Sequence, residues 1–185
     1  MSEAEAQMTG WMKGFAAAAL AMAAATGAQA QESTNRVAVE TAWSVFVDGD
    51  PRECWVVSAP TETVNTRGGQ PAPNVRRGDI LYFVTYRQGE SAPEISFTGG
   101  YPFAEGSTVT VQVGDDRFEL FTNPSTPEWA WAASPEEDAR ILAAMRRGAN
   151  AVLSARSSRG TNTRDTFSLF GVTAATEEAQ RRCAE

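Results

Sequence analysis

Histidine is absent from the 185-residue chain, and cysteine occurs twice, at Cys54 and Cys183. Without imidazole there can be no Ser-His-Asp triad, no Cys-His dyad and no histidine-ligated zinc. Carboxylates, arginines, tyrosines and hydroxyls are what remain for chemistry. Paired carboxylates hydrolyse glycosides when they face each other across roughly 5–5.5 Å or 6.5–9.5 Å. Asp48 with Asp50, Asp115 with Asp116, and Glu136 through Asp138 are the clusters that could do so. The first two sit at turn sequences and the third at a helix start, where acidic residues are favoured for backbone reasons alone. A histidine-free glycoside hydrolase is therefore the last of the readings. Asp48-Gly49-Asp50 also matches the opening of a calcium loop, but the other ligand spacings and the flanking helices are missing. No catalytic residue, metal or cofactor is expected.

Binding chemistry has more candidates. Arg77-Gly78-Asp79 is the tripeptide that integrins recognise on a loop tip, but here it runs directly into an extended apolar stretch and reads as a turn. Trp43 shares parity with Val45 and Val47 and belongs to the core. Trp129 and Trp131 point the same way if extended, and with Tyr101 they are the candidate aromatic contacts for a glycan. Packing of the two tryptophans against a following helix competes with that role.

The cysteines take their meaning from the N-terminus. Residues 14–25 are apolar but shorter than the about 20 residues that a membrane-spanning helix needs. Ala28-Gln29-Ala30 follows as a small-x-small cleavage site, so residues 1–30 read as a signal peptide cut after Ala30 and residues 31–185 as a single domain. Glu3 and Glu5 precede the positive Lys13, which places the true start at Met8 or Met12 in preference to Met1. No cysteine adjoins the cleavage site, so neither a lipid anchor nor a transmembrane anchor is expected. The product is periplasmic or secreted. In an oxidising compartment the two cysteines form a Cys54–Cys183 disulfide. A reactive or metal-binding thiol pair is the alternative, and no CxxC spacing supports it. The net charge of −7 becomes −6 without the leader, all fifteen remaining cations are arginines, and their pairs are isolated along the chain. Nucleic acid is excluded as a partner.

The elements that must position these residues are mostly strands. Alternation runs from Val37 to Val47 and breaks at Asp48-Gly49-Asp50-Pro51. Extended runs follow at Glu53–Val57, Ile80–Tyr86 and Glu94–Phe97, and Thr61–Asn74 between them reads as an exposed loop. Thr108–Val113 and Arg117–Phe121 flank Gly114-Asp115-Asp116 as a hairpin. Ala151–Arg156 and Thr166–Phe170 close the set around a turn at Arg159-Gly160-Thr161. Ser134-Pro135-Glu136-Glu137 is a capping box that opens a helix with the stripe Ile141, Leu142 and Met145, stopped at Gly148. A short C-terminal helix from Ala174 aligns Ala175, Ala179 and Cys183 on one face. The expected fold is all-β, a β-sandwich of about eight short antiparallel strands with one capped helix and a short C-terminal helix.

Several stretches together resemble the invasion-associated locus B family of exported bacterial proteins. They are Gly100-Tyr101-Pro102-Phe103, Arg117-Phe118-Glu119-Leu120-Phe121, and Trp131 with the helix ending Ala144-Met145-Arg146-Arg147-Gly148. The longest is Ser158-Arg159-Gly160-Thr161-Asn162-Thr163-Arg164-Asp165-Thr166-Phe167-Ser168-Leu169-Phe170-Gly171, continuing into Val172-Thr173-Ala174-Ala175 and ending at Cys183. A tryptophan-bearing N-terminal strand with Cys54 fits as well. The resemblance implies an envelope or periplasmic β-sandwich without known enzymatic activity, and it transfers no catalytic residues. The expected activity is binding of an envelope or periplasmic protein. The candidate interaction loop is Arg159, Asn162, Arg164 and Asp165, beside the Thr61–Asn74 loop, with Arg159 or Arg164 paired to Asp165. A carbohydrate-binding module using Tyr101, Trp129 and Trp131 is the alternative.

Overall fold

Alternation of apolar and polar side chains builds twelve strands and two helices in the computed structural model, which describes residues 35–90 and 92–184. The expected signal peptide, the cut after Ala30 and the first mature residues lie outside the described residues. The strands are β1 Arg36–Glu40, β2 Trp43–Asp48, β3 Glu53–Ser58, β4 Glu62–Arg67, β5 Gln70–Pro71 and β6 Leu81–Arg87. They continue as β7 Glu94–Thr98, β8 Thr108–Val113, β9 Asp116–Asn123, β10 Thr126–Trp131, β11 Asn150–Arg156 and β12 Asn162–Ser168. Helix α1 (Pro135–Arg147) precedes β11, and α2 (Val172–Ala184) ends the described chain. The mainly-β class and both helices are as expected.

The strand count is higher than the expected eight, and the strands form one continuous antiparallel sheet in the order β1-β2-β3-β6-β7-β10-β9-β8-β11-β12-β4-β5. The sheet curls until its two halves share a core. Tyr82 on β6 and Phe97 on β7 meet Phe167 on β12, with ring centroids 5.6 and 6.2 Å apart. The fully buried Trp43 on β2 donates its indole N–H to the Ser168 carbonyl at 3.0 Å, so its one polar group is satisfied inside the core.

Three segments differ from expectation for identifiable reasons. The Val37–Val47 run is two strands, because Thr41 turns the chain at φ 56° and leaves Val37 and Val39 exposed on the edge strand. The polar Thr61–Asn74 stretch is not a loop: β4 pairs with β12, and Gly68 and Gly69, both at positive φ, turn it into β5. Polar residues suit it because both faces of this hairpin are largely exposed. Residues 126–131 form a strand, β10, despite Pro127.

Both helices follow their local signals. The Ser134 side chain caps the Glu137 N–H, while the Glu137 carboxylate turns to Arg140 instead of completing a reciprocal box. Gly148 closes α1 at φ −85°, so left-handed geometry is not its reason. A Cβ there would lie 2.3 Å from Val113 Cγ1, which makes the glycine a packing requirement. On α2, Ala175, Ala179 and Cys183 are buried, and Cys183 is bonded to Cys54 of β3 with a Cα–Cα distance of 5.7 Å. The expected disulfide is present. Among the described residues no helix is long and apolar enough to cross a membrane.

Candidate functional site

The pairing of β12 with β4, Asn162 opposite Thr66, brings the β4–β5 hairpin and the β11–β12 turn to the same end of the sheet. That turn is fixed by its own bonds. Ser157 N–H donates to the Thr161 carbonyl at 2.8 Å, and Ser157 Oγ accepts the Thr161 N–H at 3.0 Å. Gly100, at φ 70°, lets the chain approach Gly78 closely, where a Cβ would fall 2.5 Å from the Gly78 carbonyl oxygen. Between these segments lies a cleft of about 510 Å³, lined by Arg67, Asn74, Arg76, Tyr101, Arg159 and Thr161 and by one acid, Glu128.

Beneath the cleft sits a buried ion pair. Arg77 donates both terminal nitrogens to Asp165 at 2.6 Å each and its Nε–H to the Gly99 carbonyl at 2.9 Å. The side chains are 5% and 0% exposed. Burial pushes the Asp165 carboxyl up, and the Arg77 fork pulls it back. The Arg77 guanidinium lies 5.0 Å from the centroid of the Tyr101 ring, and the Tyr101 hydroxyl bonds Thr163 Oγ1 at 2.5 Å. Burial pushes the Tyr101 phenol up to about 12.

This arrangement corrects two expectations. Neither Arg159 nor Arg164 pairs with Asp165; Arg77 does, and Asp165 is therefore a fixture of the core and not a contact residue. For the same reason the Arg77-Gly78-Asp79 tripeptide cannot present its arginine to a receptor. Of the other loop candidates, Arg159 lines the cleft. Asn162 and Arg164 point outward on β12 into a shallower groove shared with Arg156 and Val64. The two stretches chosen for contact do meet, since Arg67 Nη2 donates to Thr161 Oγ1 at 2.7 Å.

The cleft is cationic in an acidic chain. Elsewhere arginines hold carboxylates: Arg87 with Glu53 and Glu94, Arg140 with Glu137, Arg147 with Asp116, and Arg181 and Arg182 with Glu178. Among the described residues no carboxylate lies within salt-bridge distance of Arg67, Arg76 or Arg159, and all three are exposed.

Tyr101 belongs to this cleft, whereas Trp129 and Trp131 stand elsewhere. They alternate with the buried Ala130 and so occupy the outer face of β10. Trp55 and Phe83 share that face, alternating with the inward Cys54 and Val84. The tryptophans therefore extend a half-exposed aromatic face and do not bury themselves against a helix. Ring centroids are 5.4 Å apart for Phe83–Trp129 and 6.2 Å for Trp129–Trp131, whose planes differ by 21°. At one end Phe46 and Trp55 lie opposite each other across β2 and β3, with planes 5° apart.

Several members of the acidic clusters are taken up locally. Asp48 Oδ1 accepts the Gly49 N–H, and Asp116 meets Arg147. Asp138 is buried and accepts the Ile95 N–H at 2.7 Å, tying α1 to β7, and burial pushes its carboxyl up to about 6.

The family model described as invasion associated locus B (IalB) protein matches residues 43–180, from the start of β2 into α2. The chain belongs to the IalB family. No curated protein matches it in sequence. The crystal structure of invasion associated protein b from Bartonella henselae is similar, with a TM-score of 0.52 and 14% identity over 78% of this chain and 95% of that one. At that identity the likeness concerns the fold alone. The IalB match takes in Cys54, every residue lining the cleft and the whole aromatic face, and it stops short of Cys183.

Proposed function

We propose that this IalB-family chain is an exported envelope protein that binds another envelope or periplasmic protein through the cationic cleft, without catalysing a reaction. The observation that carries the reading is the gathering of Arg67, Arg76 and Arg159, without acidic partners, around one concavity of a net-acidic chain. Complementary charge steers encounter and selects partners, so the partner is expected to present an acidic segment. The buried Cys54–Cys183 bond supports an oxidising compartment, in keeping with the leader read at residues 1–30.

The test is affinity co-purification of the mature protein from cross-linked envelopes of its own host. A protein should be retained by the parent and lost, or retained only at low salt, with Arg159→Ala and Arg67→Ala. Arg159→Ala should melt as the parent does, because its side chain is exposed; Arg67→Ala also removes the bond to Thr161, so Arg159→Ala carries the conclusion. Equal retention by parent and variants, or retention of nothing, rejects the cleft as the contact surface. N-terminal sequencing of the protein from the periplasmic fraction checks export, with Gln31 expected as the first residue.

A further inference from the structure

We propose that the outer aromatic face is a second binding site, for a neutral oligosaccharide, separate from the cleft and independent of the partner proposed for it. The site is a shallow groove of about 370 Å³ with Trp55, Phe83, Trp129 and Trp131 as its floor. Glu53, Arg87 and Glu94 form its wall, with Arg87 Nε 2.9 Å from Glu53 and Arg87 Nη2 3.1 Å from Glu94.

The combination selects the occupant. Flat half-exposed rings offer apolar area to the C–H face of a sugar. The ionised wall is 37–44% exposed, so it stays hydrated beside the rings. An apolar protein surface docking here would strip water from three charges and return no hydrogen bonds. Protein interfaces accordingly deplete charge at their centres. A sugar avoids that cost, because its ring stacks while its hydroxyls replace water on the carboxylates and the guanidinium. A small number of polar groups around an aromatic floor is the general plan of a small-ligand site. A charged glycan fits less well, since the acids and the arginine of the wall already neutralise one another in part.

The experiment titrates the mature protein with soluble cello-oligosaccharides and chito-oligosaccharides, read by intrinsic tryptophan fluorescence and by calorimetry. Saturable binding is expected for at least one series, with a blue shift from Trp129 and Trp131; Trp43, buried in the core, serves as an internal reference. Trp131→Ala should weaken binding by roughly two- to tenfold, the scale of one lost aromatic stacking contact. Glu94→Gln, which keeps the shape of the half-exposed wall, should weaken it severalfold. Arg159→Ala should leave it unchanged, which separates this site from the cleft. Absence of binding to both series overturns the proposal. So does binding indifferent to both Trp131→Ala and Glu94→Gln, and so does concentration-dependent self-association that Trp131→Ala abolishes, since the occupant would then be a second copy of this chain.

Discussion

The Arg77–Asp165 pair offers the sharpest test of how the curled sheet is held. It joins the segment before β6 to β12 with two 2.6 Å bonds and almost no exposure. Removing one partner strands a buried charge, and such changes cost about 3–5 kcal/mol. At about 2–4 °C per kcal/mol for a domain of this size, Asp165→Leu or Arg77→Met alone should lower Tm by roughly 6–20 °C. In Asp165→Leu, Arg77 keeps only neutral acceptors, the Gly99 carbonyl and Asn65 Oδ1 at 3.4 Å, which cannot neutralise it. The double variant Arg77→Met/Asp165→Leu removes both charges and should recover most of the loss, because a buried pair and a packed apolar pair are often comparable in stability. Urea denaturation of the four proteins gives the coupling energy directly. Additive single effects, or single losses below about 1 kcal/mol as for a surface pair, would refute the reasoning.

Three further outcomes are expected. Reducing the Cys54–Cys183 bond, or Cys54→Ser, should lower stability by up to about 4–5 kcal/mol, since the bond spans 129 residues of sequence; an unchanged Tm on reduction would mean that the bond does not constrain the unfolded chain. Gly171→Ala should cost well over ~1 kcal/mol, because φ is +92° and the added Cβ would lie 2.0 Å from the Glu40 carbonyl oxygen, whereas Gly114→Ala, in open space, should cost only about 1 kcal/mol, the left-handed strain at its φ of +57°; similar losses at both sites would contradict this. Asp138 has its folded carboxyl raised to about 6, so its protonated form stabilises the fold below about pH 4, and that contribution is lost as pH rises through 6. Asp138→Asn keeps an acceptor for the Ile95 N–H and should remove this slope while matching or exceeding the parent's stability at pH 7; a slope that persists in the variant would assign it to another group.

Elements with strong local signals were legible in the sequence. The cap at Ser134, the hairpin across Gly114 and the inward face of Ala175, Ala179 and Cys183 each rest on residues close together in the chain. The mainly-β class followed from the alternation, but the joining of twelve strands into one open sheet did not, because β6 pairs with β3 and β12 with β4 across long separations that periodicity does not encode. The β4–β5 hairpin was missed because a strand exposed on both faces has no apolar alternation to display. Arg77 was read as part of a turn, and its partner Asp165 was assigned to arginines nearer in sequence. The ion pair spans 88 residues, and its only sequence trace is a charge on the inward parity of β12 beside Thr163 and Phe167. The aromatic face was half legible: Trp129 and Trp131 showed their common direction, but Trp55 and Phe83 join them only through sheet order.

The distribution of arginine ties fold and function together. Arg77 closes the core, Arg87 is locked between Glu53 and Glu94, and Arg181 and Arg182 share Glu178 along α2. Arg77, Arg181 and Arg182 serve the fold, and Arg87 also lines the aromatic groove. Arg67, Arg76 and Arg159 around the cleft, with Arg156 and Arg164 in the groove beside it, gather like charges where acids are available elsewhere on the surface. Mutual repulsion at an exposed, screened surface costs little, but it contributes nothing to stability either. A chain with 23 acidic residues has ample means to neutralise five arginines. Left together at one end of the sheet, they form the surface that the proposed binding of an acidic partner would use. The buried Arg77–Asp165 pair directly below holds that surface in shape without being part of it.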